Sequence, residues 1–140
     1  MNVRLRGRIA SGRGDLAQWM SRYAPAYERA AGVRLVPGSL NVVLDHPWVM
    51  REPESRLEPD EVGVGVGFVA CRLDGVPCFV VRTDRNNAGQ GDHPLDVVEV
   101  VAAVHLRTHL ALVDGDEVVV ELDAPAGIVG RSTGGPPGDR

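Results

Sequence analysis

Two neutral side-chain oxygens stand two residues apart near the beginning of a predicted strand, in residues 37–44. Pro37 and Gly38 form a turn signal, and the run that follows is apolar and β-branched, as in a β-strand. Side chains two apart on a strand point to the same face, so Ser39 and Asn41 would emerge side by side. Such a pair suits Mg²⁺, which keeps most of its waters and takes its negative ligands from a phosphate. The alternative, which spacing alone favours, is that both side chains hydrogen-bond the local backbone of the turn.

A pair of glycines lies upstream, with Gly12 and Gly14 on either side of Arg13. Glycines let backbone N–H groups approach an anion closely, which is the physical basis of phosphate-binding loops. The same pattern is common in ordinary turns, and the pattern by itself favours a turn.

Two further features could carry chemistry in the second half of the chain. Glu99 lies inside the apolar run Val97–Val101, where a carboxylate is costly unless it finds a partner; alternatively, it simply faces water. His105 and His109 are four residues apart, as in some metal sites, but no cluster of His or Cys near them would complete the coordination. No general base is evident among these residues.

The first half of the chain predicts a strand, then a broken helix. Val3–Ala10 alternates between apolar residues and arginines, which predicts a half-buried strand with a basic outer side. A helix is predicted from residue 14 or 15 to about residue 31, with a break at Pro25 and a stop at Gly32. One face of this helix is apolar and aromatic, which favours a place in the core over base stacking. The side chains on that face are Leu16, Trp19, Met20, Tyr23 and Tyr27.

The second half alternates between loops and short strands. Residues 45–60 hold three of the ten prolines and several charges, which predicts an irregular surface loop. Residues 62–70 predict a strand whose glycines allow close backbone approach. Residues 84–94 are polar and glycine-rich, which predicts a mobile surface loop that could close over a ligand. A short helix over residues 105–112 and the strand Glu117–Leu122 complete the pattern.

A tight hairpin is predicted at Asp74-Gly75, a dipeptide typical of two-residue turns. Counting outward from this turn places Cys71 opposite Cys78, at a hydrogen-bonded pair. Pro77 falls at a non-hydrogen-bonded position toward its partner strand, and its missing N–H faces the other side, which indicates a strand edge or a bulge. We expect the two cysteines to be adjacent yet reduced, because a cytoplasmic compartment keeps thiols reduced.

Length and composition favour one small domain. The 140 residues predict a single domain over residues 1–123, followed by a disordered tail over residues 124–140 that is rich in Gly and Pro. Only 4% of the residues are aromatic, so Val, Leu and Ala must fill the core. The net charge of −4 argues against nonspecific nucleic-acid binding, which needs a basic surface. The sequence lacks a membrane-length apolar run and a signal-peptide core, so we expect a cytoplasmic protein with no nucleic-acid or membrane partner.

Several segments, taken in order, resemble the archaeal CTP-dependent riboflavin kinases. That family carries Ser-Gly-x-Gly-Glu-Gly, then a helix, then Pro-Gly-Thr-Leu-Asn. The corresponding stretches here are Ser-Gly-Arg-Gly-Asp-Leu at residues 11–16 and Pro-Gly-Ser-Leu-Asn at residues 37–41. The stretch of residues 96–102 is similar to the family as well, as are Leu106-Arg107 and residues 114–118. The similarity spans most of the chain, and the order and spacing of the segments carry it more than any single motif.

The resemblance implies a mainly β fold, a compact six-stranded cradle-loop β-barrel with peripheral helices. It implies transfer of the γ-phosphoryl group of CTP to the 5′-hydroxyl of riboflavin, which gives FMN and CDP. It also implies that Ser39 and Asn41 hold Mg²⁺, and that Glu99 contacts the flavin together with a residue at Thr83 or Gly91, between which the alignment does not decide. The implied nucleotide-binding residues are Gly12, Arg13, Gly14, Asp15, Leu16, Ala17, Val104, His105, Leu106 and Arg107.

Three departures from the family pattern keep other functions open. Leu16 stands where the family has a second loop glycine and would narrow the pocket, and Ala17 stands where some members have an arginine. Residues 84–94 are a few residues longer than the family's counterpart. One alternative is a related small-molecule kinase with another acceptor, and the other is a non-catalytic ligand-binding or regulatory module on the same barrel. Arg107 could equally be an exposed helix residue.

Overall fold

Six antiparallel strands close into a β-barrel, as the resemblance implied. The computed structural model describes residues 3–12 and 14–123, so Arg13 and the predicted tail over residues 124–140 lie outside the described residues. The strands are β1 (Val3–Ala10), β2 (Leu40–Leu44), β3 (Ser55–Leu57), β4 (Val66–Leu73), β5 (Val76–Thr83), β6 (Val97–Val101) and β7 (Glu117–Leu122). Their order around the barrel is β4-β5-β6-β2-β1-β7, and pairing of β7 with β4 closes the ring. The seventh strand, β3, pairs with the beginning of β4 outside the ring.

Short helices surround the barrel, and the predicted break in the first one is confirmed. Tyr23 ends one helix and precedes the next, and Pro25 lies in the first turn of the second helix, where its missing N–H leaves no bond unmade. Gly32 ends that helix in the left-handed conformation, at a φ of 78°. None of the helices described has the length and hydrophobicity that crossing a bilayer requires. The helices are α1 (Leu16–Arg22), α2 (Ala24–Ala31), α3 (Pro59–Val62), α4 (Asp84–Asn87) and α5 (Leu106–His109).

The barrel strands are covered on both faces, which explains why several of them are apolar runs rather than strict alternations. Val98 and Val100 of β6 belong to the cluster that fills the barrel. Val101 belongs to a second cluster, together with Met20 of α1 and Tyr27 of α2, on the outer face of the sheet. The valine-rich core predicted from the low aromatic content is therefore present, and the helices bury a second layer.

The region between β2 and β4 is more ordered than predicted. Residues 45–60 contain β3 and the beginning of α3, and they bury Met50 and Leu57, so the expectation of an irregular surface loop was wrong. The apolar residues of this segment are the consecutive run Trp48-Val49-Met50 and, seven residues after Met50, Leu57, and this spacing has no strand or helix period, which is why the sequence did not reveal the order. The strand predicted from residue 62 begins at Val66, because α3 ends at Gly63 in the left-handed conformation.

The predicted hairpin is confirmed residue by residue. Asp74 and Gly75 both have positive φ, at 50° and 81°, as a type I′ turn requires. Cys71 lies opposite Cys78, and their sulfur atoms are 3.3 Å apart and not bonded to each other. β5 pairs with β6 only from Phe79 onward, so the missing N–H of Pro77 faces no partner strand.

Candidate active site

A cluster of three oxygen-bearing side chains lies where β2 and β6 pair. The register places Asn41 directly opposite Glu99, and Ser39 lies two residues before Asn41 on the same face. Ser39 Oγ is 2.8 Å from Glu99 Oε2 and 3.2 Å from Asn41 Oδ1, and its single proton goes to the nearer carboxylate. Asn41 is buried, and the Glu99 side chain is only 15% exposed. The three side chains therefore contact one another, and neither a turn-capping role for the pair nor a water-facing Glu99 describes them.

The chemistry of this cluster fits a hard divalent cation. Mg²⁺ binds oxygen at about 2.0–2.1 Å in an octahedron, so adjacent ligand oxygens lie roughly 3 Å apart. The 3.2 Å between Ser39 Oγ and Asn41 Oδ1 is close to that spacing. Within residues 3–12 and 14–123, no group of three or more His, Cys, Asp or Glu side chains is arranged to hold a metal without help. The cluster thus suits a cation that completes its coordination with water and phosphate oxygens.

Gly12 and Gly14, which we call the glycine loop, both lie close to this cluster. A Cβ atom on Gly12 would lie 2.2 Å from Asn41 Nδ2, so only glycine lets the chain approach the asparagine this closely. A Cβ atom on Gly14 would lie 3.6 Å from Glu99 Oε2, an ordinary contact. Gly12 is therefore needed for close approach to Asn41, which a simple turn would not require.

One pocket opens on the Ser39 side of the cluster. Its volume is about 140 Å³, and its walls are the segment before β2 and the beginning of α5. The predicted residues Val104, His105, Leu106 and Arg107 all line it. His105 Nδ1 lies 2.8 Å from Thr108 Oγ1 and caps α5. Four of the predicted nucleotide-binding residues thus share one wall.

Arg107 is held at this pocket rather than extending freely into solvent. Its Nη2 lies 3.0 Å from Asp114 Oδ1, and Ser11 Oγ donates to the other carboxylate oxygen of Asp114 at 2.6 Å. The Ser11 hydroxyl and the Arg107 guanidinium hold the pKa of Asp114 below its usual range. Asp114 therefore connects the end of β1, where the glycine loop begins, to α5.

A second pocket opens on the Glu99 side and is larger, at about 300 Å³. Both candidates for the second flavin contact, Thr83 and Gly91, line it together with Glu99. The Thr83 hydroxyl accepts a hydrogen bond from the N–H of Asn86 and caps α4. A Cβ atom on Gly91 would lie 1.8 Å from Asn86 Oδ1, so the Asn86 amide fills the space that a larger residue at 91 would need. Of the two candidates for the second flavin contact, Thr83 is therefore the one that offers a side-chain hydroxyl to this pocket.

The predicted nucleotide loop does not form a single wall. Gly14, Asp15 and Leu16 line the second pocket, on the side of Glu99. Ala17 is exposed and lines neither pocket. Asp15 is the N-cap residue of α1, so the chain turns away from the cluster at this residue. The side chains of Leu16 and Ala17 therefore do not reach the first pocket.

Seven residues that line the second pocket were not identified from the sequence as site residues, and three of them bear most on its chemistry: Trp19, Tyr27 and His93. Trp19 and Tyr27 belong to the aromatic face that was assigned to the core; Tyr27 is indeed buried, yet both also line the pocket. The pKa of Tyr27 is raised to about 12, mainly by burial of the hydroxyl and further by the negative charges of Glu99 and Asp15. His93 Nδ1 lies 3.7 Å from Glu99 Oε1. A lone histidine in an aperiodic loop gives no sequence signal for such a contact.

A buried arginine anchors the loop that forms the outer side of this pocket. Arg82 is 5% exposed, and its guanidinium donates to the carbonyl oxygens of Trp48, Leu95 and Val97 and to Asn87 Oδ1. Burial lowers the pKa of Arg82, and its acceptors are all neutral. The loop expected over residues 84–94 thus contains a helix, α4, and is tied to the barrel at both of its ends.

Comparisons with known proteins agree with this architecture. The model of the family CTP-dep_RFKase, described as "Domain of unknown function DUF120", matches residues 9–122. A protein named riboflavin kinase from Pyrobaculum arsenaticum is 37% identical, over 86% of this chain and 61% of its own length. Proteins of the same name from Methanocella arvoryzae and Pyrobaculum aerophilum are 31% and 34% identical, over 85% and 86% of this chain and 56% and 61% of their own lengths. The chain spans about three-fifths of the length of these relatives, and it belongs to the CTP-dep_RFKase family.

Proposed function

We propose that this chain is a CTP-dependent riboflavin kinase of the cytoplasm, which transfers the γ-phosphoryl group of CTP to the 5′-hydroxyl of riboflavin and releases FMN and CDP. The observation that carries the proposal is the meeting of two pockets at one hydrogen bond, between Ser39 of the first pocket and Glu99 of the second. A kinase needs a donor site and an acceptor site that adjoin where the phosphoryl group passes. The names of the relatives support the choice of riboflavin, and the family name supports the choice of CTP.

The first pocket is assigned to the nucleotide. Arg107 supplies positive charge at its wall, and Gly12 brings the loop backbone close to Asn41, beside the oxygens where the phosphates would lie. Backbone N–H groups and a guanidinium are the usual partners of phosphate oxygens.

Ser39 and Asn41 are assigned to Mg²⁺. When bound, the ion would neutralise charge on the transferring phosphoryl group. The protein's own part is to keep both ligand oxygens at fixed positions: Asn41 is buried, and the β2–β6 pairing sets its register. Positioning of this kind supplies much of the rate in phosphoryl transfer, where the protein does little covalent chemistry.

The second pocket is assigned to the acceptor. Its apolar and aromatic lining, which includes Leu16, Trp19 and Val64, suits a planar ring system, and the Thr83 hydroxyl and the Glu99 carboxylate can orient polar groups of the acceptor. The Asn86 side chain fills the position next to Gly91 and narrows the pocket there. Leu16, which stands where the family pattern has a glycine, also lines this pocket, and that departure favours, as a second candidate, a kinase with another small alcohol as acceptor.

A product assay tests the proposal. Purified protein is incubated with riboflavin, Mg²⁺ and one of CTP, ATP, GTP or UTP, and FMN is separated from riboflavin by chromatography. We expect FMN with CTP in preference to ATP, and none when EDTA removes the metal. If CTP is converted to CDP only with a different alcohol, the second candidate function holds. If flavin binds but no nucleotide yields a phosphorylated product, the chain is a binding module and the kinase proposal is wrong.

A further inference from the structure

We propose that His93 is the general base that takes the proton from the acceptor hydroxyl, an inference that rests on the function proposed above. The resemblance implied no such residue. His93 lies in the loop after α4 and lines the acceptor pocket beside Glu99. Its side chain is 22% exposed, so the imidazole is largely shielded while one part remains open to solvent.

Two contacts fix the position of this histidine. Its backbone N–H donates to Asn86 Oδ1 at 3.3 Å, which ties residue 93 to α4. Its ring nitrogen Nδ1 lies 3.7 Å from Glu99 Oε1, which is longer than a hydrogen bond, as catalytic contacts often are before substrate binds. Glu99 is itself oriented, because its second oxygen accepts the hydrogen bond of Ser39 at 2.8 Å.

A carboxylate beside a histidine, as in the pair of Glu99 and His93, is the arrangement that general-base catalysis commonly uses. A carboxylate beside one ring nitrogen orients the imidazole and compensates the positive charge that the ring acquires on taking a proton. With Nδ1 facing Glu99, Nε2 is the nitrogen left for the acceptor. Ser39 and Asn41, which mark the assigned position of the metal and the phosphates, lie on the other side of Glu99. An acceptor hydroxyl bound over Glu99 would therefore have His93 on one side of that carboxylate and the assigned phosphate position on the other.

The step balances without another reactant. Nε2 of His93 accepts the hydroxyl proton while the acceptor oxygen forms its bond to the γ-phosphorus. The bond between the γ-phosphorus and the β–γ bridging oxygen breaks, and its electron pair leaves with the nucleoside diphosphate. The imidazolium then loses its proton to solvent through the exposed part of the ring.

A general base accepts a proton only in its unprotonated form, so comparing the pH–rate profiles of the wild type and of a variant at residue 93 separates a base from a residue that only positions others. Other groups also face this pocket, so the proteins compared differ at residue 93 alone. These titratable and charged groups are Asp15, Tyr27, Arg85, Asp92 and Glu99.

Steady-state kinetics of His93→Gln test the inference. Glutamine keeps a polar side chain of similar reach but cannot take a proton at neutral pH. We expect kcat to fall about 10²- to 10⁴-fold, with the KM values for riboflavin and CTP nearly unchanged. The acid limb of the wild-type pH–rate profile should disappear in this variant. His93→Ala should regain part of its kcat in added imidazole. His46→Gln is the matched control, because His46 is exposed and lines neither pocket.

The outcomes distinguish failure of the His93 assignment from failure of the kinase proposal. If wild-type protein makes FMN and His93→Gln keeps its kcat and its acid limb, the assignment of His93 is wrong and the kinase proposal stands. If kcat falls but the acid limb persists and imidazole gives no rescue, His93 only positions other groups and the base assignment is likewise wrong. If wild-type protein transfers phosphate to no acceptor, both proposals fail together.

Discussion

Substituting Gly12 by alanine should strongly lower the proposed kinase activity while leaving the barrel folded. The Cβ of the new residue would lie 2.2 Å from Asn41 Nδ2 and 2.8 Å from Asn41 Cγ. Ordinary van der Waals contact begins near 3.4 Å, so the two groups must separate by about 1.2 Å. Because the clash is with the end of a side chain, rotation of Asn41 relieves it at little cost to the backbone. The damage therefore falls on the position of an assigned metal ligand.

The size of the effect follows from that displacement. A misplacement of about 1 Å in a site that works by positioning can lower the rate about 10²-fold. A 10²-fold loss corresponds to roughly 2.7 kcal/mol of lost transition-state stabilisation. The stability of the fold should change by less than about 1 kcal/mol, because Gly12 is exposed and its φ does not require glycine.

Gly14→Ala is the matched control, two residues away in the same loop. Its Cβ would meet Glu99 Oε2 at 3.6 Å, an ordinary contact, so we expect a much smaller loss of activity. The assay is the initial rate of FMN formation for the two variants, with circular dichroism and a thermal melt to verify folding. Equal activity of Gly12→Ala and Gly14→Ala, with both proteins folded, would show that the position of Asn41 under the loop does not matter and would refute the reasoning.

Three other predictions concern the cluster, the hairpin and the outer layer. Asn41→Ala should lower turnover by about 10²-fold or more with the fold intact, because it removes a side chain assigned to the metal, whereas Ser39→Thr should be tolerated because the hydroxyl persists. An inactive Ser39→Thr beside a fully active Asn41→Ala would reverse the assignment. When unfolded protein that was purified without reductant is alkylated, mass spectrometry should find Cys71 and Cys78 both modified, and modification of neither would show that the cytoplasmic location or the geometry was misjudged. Tyr27 should ionise only near pH 12. Since an unfolded tyrosine ionises near pH 10, the unfolded chain loses this proton first, and the free energy of unfolding should fall by about 1.4 kcal/mol per pH unit between those values. Denaturant melts from pH 9 to 11 should show a steeper decline for wild type than for Tyr27→Phe, and identical slopes would contradict the burial argument.

Patterns that depend on near neighbours in the sequence predicted the structure well. The turn at Asp74-Gly75 determined the register of the longest hairpin, and Pro25 and Gly32 determined where helices begin and end. Val3–Ala10 and Glu117–Leu122 form strands with the predicted bounds. In each case the signal is a backbone preference or a period of two, and both act over a few residues.

The candidate site was only partly predictable, because its geometry depends on pairs that are distant in sequence. Spacing made Ser39 and Asn41 candidates and the resemblance favoured them as site residues, but the hydrogen bond of Ser39 with Glu99 spans 60 residues. No local pattern marks His93 as a neighbour of Glu99, or Asn86 as the side chain that fills the space beside Gly91. Side chains in aperiodic loops are placed by tertiary contacts, and those contacts become visible only when the barrel has closed.

The buried core of the barrel itself sets the geometry of the site. Asn41 stands opposite Glu99 because Val42 pairs with Val98 and Leu40 pairs with Val100 in the same ladder, and all four of these apolar side chains are buried inside the barrel. Side chains alternate along a strand, so a slip of β2 by one residue would turn Asn41 into the barrel and its apolar neighbours outward. Such a slip would expose the apolar side chains and bury an unpaired amide, and both changes are unfavourable. The hydrophobic effect that closes the barrel therefore also holds the three oxygen-bearing side chains together at the junction of the two pockets.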